Sequence, residues 1–117
     1  MLINARSLKC KLAEFNALLV SGDHDIVCVA ETWLNDTVTD AMLTNGSSYD
    51  VVRLDRLSRG GGIAVFIRSG IAFDPPCFST NVEGLYLDFA RARFRLVLGY
   101  LPDGKSPLEI LNRCTFS

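Results

Sequence analysis

Imidazole is nearly missing from this chain. His24 is the only histidine, and the four cysteines, Cys10, Cys28, Cys77 and Cys114, include no Cys-x-x-Cys pair. Both facts argue against a structural zinc site. There is no excess of charge of either sign: the formal net charge is -1. That total does not advertise a nucleic-acid partner, although a local basic surface is compatible with it. No apolar run approaches the ~20 residues that span a bilayer. Met1-Leu2-Ile3 runs straight into Asn4 and Arg6, without the apolar stretch of a signal peptide. Neither a repeat nor a low-complexity segment is present. These absences lead to the expectation of a soluble, intracellular protein with reduced thiols and no membrane partner.

What is present is ordinary globular composition, 49% hydrophobic and 21% charged over 117 residues. That suits one modest core and a single domain over 1–117. Leu2 and Ile3 read as a strand stub. Ser7 is placed to cap a helix in which Leu8, Leu12, Phe15 and Leu19 recur at helical spacing. Gly22 and Asp23 end it. Residues 25–31 then form a short buried strand, completing a β-α-β unit with parallel strands. A short helix is expected near Thr37–Leu43, capped by Asp36 or Thr37. YDVVRL (49–54) and GIAVFIR (62–68) read as strands around the loop DRLSRGGG. Pro75-Pro76 breaks the next stretch. GLYLDFA (84–90) and RFRLVLGYL (93–101) alternate as a hairpin, and PLEILNRC (107–114) reads as the start of a helix with Pro107 in its first turn. The expected class is α/β (α+β): a mixed sheet with helices on one face, in a domain cut short.

Asn4 and Glu31 each end an apolar strand, and one crossover helix separates the two strands. Residues at the carboxyl ends of adjacent parallel strands lie side by side at the ligand crevice of an open α/β sheet. An amide beside a carboxylate suits a hard cation such as Mg²⁺, which takes oxygen ligands and keeps several waters. A turn cap or an arginine partner is the other way to satisfy Glu31, since structural ion pairs are common.

NARSL before a helix, then DIVCVAETWL, YDVVRLDR and GGGIAVFIRSGI, in that order and spacing, resemble the endonuclease domain of non-LTR retrotransposons. That domain belongs to the endonuclease/exonuclease/phosphatase superfamily, with deoxyribonuclease I and the apurinic/apyrimidinic endonucleases. The resemblance spans about residues 2–102. It implies a four-layer α/β/β/α sandwich, of which this chain is the N-terminal half. It implies a DNA endonuclease using Mg²⁺ or Mn²⁺, in a polyprotein with a reverse transcriptase that works in the nucleus. Carried over residue by residue, Asn4 helps organise the metal and the scissile phosphate, and Glu31 is a metal ligand. Tyr100 of Tyr100-Leu101-Pro102 corresponds to the aromatic near the phosphate. Relatives often read YRPP there, and the arginine is absent from this chain. Arg6, Arg56 and Arg59 are candidates for the DNA backbone, and Arg53 and Arg68 belong to the same arginine-rich stretch around the glycine loop. For any single arginine, a solvated surface role is an equal alternative.

The chain also departs from the family. Neither the Gly-Asp-x-Asn motif nor the C-terminal Ser-Asp-His is present, so the groups that deprotonate the attacking water are missing. His24, in the loop before the second strand, reads as a surface residue and not as a substitute. The chain alone is therefore expected to be inactive. A non-catalytic remnant or binding module is the second reading. A third comes from GYLPDGKS (99–106), which fits the phosphate-loop pattern with Lys105 and Ser106 in the key positions. Against it, Pro102 removes an amide donor, and 11 residues after Ser106 leave no strand for a second acidic motif.

Overall fold

The computed structural model of the chain describes residues 1–22, 24–56, 61–79, 83–91, 93–100 and 109–113. The first sheet begins with β1 (Leu2–Asn4) and β2 (Ile26–Ala30), which pair in parallel, as expected of the β-α-β unit. The connecting helix α1 (Leu12–Ser21) starts later than Ser7, after a 3-10 turn at Lys9–Lys11. Ser7 does not cap it: its Oγ lies 3.3 Å from Cys10 Sγ instead. Gly22 closes the helix in the left-handed conformation at φ 71°, as a C-terminal glycine should. The second helix, α2 (Asp40–Thr44), is capped by Thr39, whose Oγ1 accepts from Met42 N–H at 3.2 Å. Asp36 and Thr37 are not its caps.

β3 (Tyr49–Leu54) and β4 (Ile63–Arg68) pair antiparallel, and β4 also pairs antiparallel with β2. The order β1-β2-β4-β3 is thus a mixed sheet. The second sheet runs β5-β6-β7-β8 with β5 (Cys77–Ser79), β6 (Glu83–Phe89), β7 (Phe94–Tyr100) and β8 (Glu109–Arg113), all antiparallel. β8 corrects the expected helix over 107–114. Pairing along β7, Arg95 to Arg113 through Gly99 to Glu109, outweighs the local helical preference of PLEILNRC, because β structure depends on available neighbours more than on propensity.

Alternation along β2 and β4 divides the core in two. Val27, Val29, Ala64 and Phe66 face α1, where Phe15 meets Phe66 with ring centroids 4.7 Å apart. Cys28, Ala30, Ile63, Val65 and Ile67 face the second sheet and meet Leu85, Leu87, Phe89, Leu96 and Leu98. The chain is thus a compact mixed α/β protein of helices, sheet and second sheet. On the outer side of the second sheet, Arg95 stacks over Tyr86 at 4.3 Å and holds Asp88 at 2.6 and 3.0 Å. Cys10, Cys28 and Cys77 are free; burial pushes the Cys28 thiol up to about 11. Among the described residues no helix is long and apolar enough to cross a membrane.

Candidate functional site

β1 and β2 end side by side, with Asn4 in register with Ala30 and Glu31 next in the chain. Backbone bonds continue past the sheet: Ala5 N–H to Ala30 O at 2.9 Å, Ser7 N–H to Glu31 O at 2.9 Å and Leu8 N–H to Thr32 O at 2.8 Å. The loop after β1 is therefore laced to the ETW segment after β2. Across from it, Thr32 N–H reaches Gly62 O at 3.2 Å and Trp33 N–H reaches Gly61 O at 2.9 Å. Three segments are stapled into one rim.

The sequence dictates this close approach. Gly61 and Gly62 take φ 69° and 89°, which glycine adopts without a Cβ penalty. At Gly62 a Cβ would collide with Thr32 Oγ1. Thr32 is fully buried there, and its Oγ1 has no hydrogen-bond partner. Four residues of the rim that are not glycine also have positive φ: Arg6 (46°), Ser7 (88°), Glu31 (52°) and Trp33 (53°). Such conformations cost of order 1–3 kcal/mol each and cluster where function requires them.

Glu31 is half-buried and Asn4 exposed. Among the described residues, no hydrogen bond or ion pair is made by the Asn4 amide or the Glu31 carboxylate. Glu31 thus takes neither of its two alternatives, cap or arginine pair, among those residues. Tyr100 ends β7 opposite Glu83. The other end of that hairpin, at Phe89 and Phe94, shares a cavity of about 320 Å³ with Asp25, Ile26 and Ile71. That is the start of β2 and the end of β4.

The arginines divide. Arg6 is exposed on the rim, and Arg56 is half-buried two residues after β3. Arg59 lies outside the described residues. Arg53 is committed to structure: it bonds Asp55 at 2.6 and 3.1 Å, Asp40 at 3.1 Å, and the carbonyls of Val38 and Asn35 at 2.7 and 2.9 Å. The hydrogen bonds to Asp55 push its guanidinium above the ordinary arginine range. Arg68 does not belong with the glycine loop at all. It ends β4, at the opposite end from Gly62, bonded to Asp25 at 3.0 Å and to the carbonyls of Gly22 and His24. His24 is half-buried rather than a surface residue, and its carbonyl also accepts from Tyr49. Of the phosphate-loop pattern, Gly99 and Tyr100 are in β7, and Leu101 to Ser106 lie outside the described residues. The element after them is a strand, not the helix that such a loop requires.

Two rim residues were not singled out from the sequence. Lys11 donates from Nζ to Ala5 O at 2.6 Å, which puts a cation beside the Asn4 end of β1. Trp33 is 45% exposed, although it sits in an apolar run that reads as core. The apolar run around it carries no sequence signal of that exposure.

Among the described residues there is no group of three or more His, Cys, Asp or Glu that could hold a metal. Asn4 and Glu31 offer one amide and one carboxylate as oxygen donors, without side-chain partners among the described residues. That fits a largely hydrated Mg²⁺ or Mn²⁺, which is often held by one or two carboxylates together with substrate phosphate. It does not fit a metal needing a full protein cage. Comparison with models of protein families, with curated proteins and with solved structures yields no match.

Proposed function

We propose that this chain supplies the metal-binding rim of a divalent-metal-dependent DNA endonuclease domain of the non-LTR retrotransposon kind. The observation that carries the reading is that Asn4 and Glu31 stand at the ends of adjacent parallel strands, Asn4 in register with Ala30 and Glu31 next in the chain, both without side-chain partners among the described residues, on a rim with Arg6 and Lys11. In this reading Glu31 and Asn4 hold Mg²⁺ or Mn²⁺, Tyr100 lies near the phosphate, and Arg6, Arg56 and Arg59 serve the DNA backbone. The bound cation supplies charge stabilisation to the phosphodiester as it is hydrolysed. The four-layer sandwich would place a further helix layer on the outer face of the second sheet, from chain that also bears Gly-Asp-x-Asn and Ser-Asp-His. A reverse transcriptase in the same polyprotein would use the nick.

The second reading is a binding module without catalysis. The absence of a converging acidic or histidine group among the described residues favours it. In it, the rim contacts nucleic acid and no bond is cleaved.

The test is Mn²⁺ binding, read from the loss of the free-ion paramagnetic resonance signal. The full chain should bind Mn²⁺, and Glu31→Ala should weaken binding by at least about tenfold, since even outer partners of a metal site cost that much. Equal binding by both proteins would remove Glu31 from the site.

A further inference from the structure

Trp33 is the chain's only tryptophan. A bulky aromatic residue rarely takes positive φ, yet Trp33 does so at 53°. The residues on either side of it are anchored: Thr32 is 0% exposed and Leu34 is 2% exposed, while Trp33 itself is 45% exposed. Its N–H is bonded to Gly61 O at 2.9 Å. The backbone is thus fixed on both sides, and the side chain between them is left part-exposed. Core packing alone does not account for a strained backbone that leaves so large a side chain part-exposed.

The neighbouring loop supplies the charge. Ser7 and Leu8 are bonded to the Glu31 and Thr32 carbonyls, so exposed Arg6 belongs to the same rim as Trp33. Lys11 is tied to the same loop through Ala5 O. A part-exposed aromatic side chain on a rim that also carries a guanidinium and an ammonium group matches the two needs of an unpaired nucleotide: a surface for its base and cations for its phosphates. Every base has a π-face, so such stacking tolerates sequence.

We propose that Trp33 is a stacking platform for an unpaired base of single-stranded or locally opened DNA, with Arg6 and Lys11 on the adjoining phosphates. This rests on the endonuclease reading and specifies the form of DNA its rim takes. Because Trp33 is the sole fluorophore of its kind, the contact reports itself. A short single-stranded oligodeoxynucleotide should quench its emission, and inorganic polyphosphate should not. In fluorescence anisotropy with a labelled oligonucleotide, Trp33→Ala should weaken binding roughly tenfold or more, the scale of one base–aromatic stack. Trp33→Tyr should recover most of the affinity, and Arg6→Ala should lower the salt dependence while leaving the quenching in place. Absence of quenching, equal quenching by polyphosphate, or unchanged affinity in Trp33→Ala would overturn the platform. Glu31-dependent Mn²⁺ binding without quenching would overturn it and leave the endonuclease reading intact. Quenching without Glu31-dependent Mn²⁺ binding would support the platform and remove the metal site.

Discussion

The two ends of the first sheet are built on opposite principles. At one end, where β2 starts and β4 finishes, polar groups are matched. Arg68 reaches Asp25 and the carbonyls of Gly22 and His24, its guanidinium lies 5.4 Å from the Tyr49 ring centroid, and Tyr49 donates to His24 O. At the other end, the Asn4 amide and Glu31 carboxylate lack partners among the described residues, Thr32 Oγ1 is buried without one, and four residues that are not glycine hold positive φ. A structural end satisfies its polar groups, because unmatched ones cost about 1–3 kcal/mol each when buried. The rim tolerates strain and open valences. The proposed ligand-binding role of the rim rests on that contrast.

The largest effect should come from loosening the rim's staple. Gly62→Ala adds a Cβ that collides with Thr32 Oγ1 at φ 89°. Conformational strain of about 1–2 kcal/mol and overpacking of about 1–3 kcal/mol act together there, so a loss of about 2–5 kcal/mol is expected in urea unfolding. Gly46→Ala is the control. Its φ is 74°, but nothing lies within 4 Å of the added carbon, so only the strain component should remain. Equal losses in the two variants would mean that the Thr32–Gly62 contact does not hold the rim together.

A smaller effect is expected at the matched end. Arg68→Met removes charge-assisted bonds to two carbonyls and the ion pair with Asp25, from a side chain that is 33% exposed. Hydrogen bonds to charged groups contribute roughly 1.5–3 kcal/mol in general, and exposed ion pairs add little. A loss of about 1–3 kcal/mol in the same assay, with Mn²⁺ affinity unchanged, is the expected outcome. A change in Mn²⁺ affinity would mean that the two ends are coupled and that the contrast between them is false.

The sequence makes the difference between the ends only partly readable. The parallel pair β1 and β2 follows from the short apolar run of Ile26–Ala30, a helical period before it and Gly22 between them, all local signals. Their neighbouring ends, and so the placing of Asn4 and Glu31 at one end of the sheet, follow from that topology. Arg68 misleads because it is near the glycines in sequence. The extended strand between them, at ~3.4 Å per residue, carries it roughly 20 Å to the opposite end of the sheet. PLEILNRC misleads because its helical preference is local while its pairing with β7 is not. Cys77–Ser79 is too short, and too close to Pro75-Pro76, to stand out as a strand. The Thr32–Gly62 contact joins residues thirty apart and depends on a missing side chain, so no periodicity reveals it. The part-exposed side chain of Trp33 is hidden as well, because an apolar run gives no sign of where its backbone turns left-handed.

The smallest effect on stability should come from the residue that matters most to the proposed chemistry. Glu31→Gln keeps the side-chain shape and removes the charge. With no internal partner to lose among the described residues, stability in urea without added metal should stay within about 0.5 kcal/mol of the parent chain. A loss above about 1 kcal/mol would identify Glu31 as a structural residue whose partner the rim conceals, and the two ends of the sheet would then be alike. Adding Mn²⁺ sharpens the comparison. A ligand that binds only the folded state stabilises it by RT ln(1 + [L]/Kd), about 2.7 kcal/mol at a hundredfold excess over Kd. The parent chain should gain stability as Mn²⁺ rises, and Glu31→Gln should remain flat over the same range. A parallel rise in both proteins would locate the cation elsewhere on the surface and leave Glu31 strained and open without a ligand to explain it.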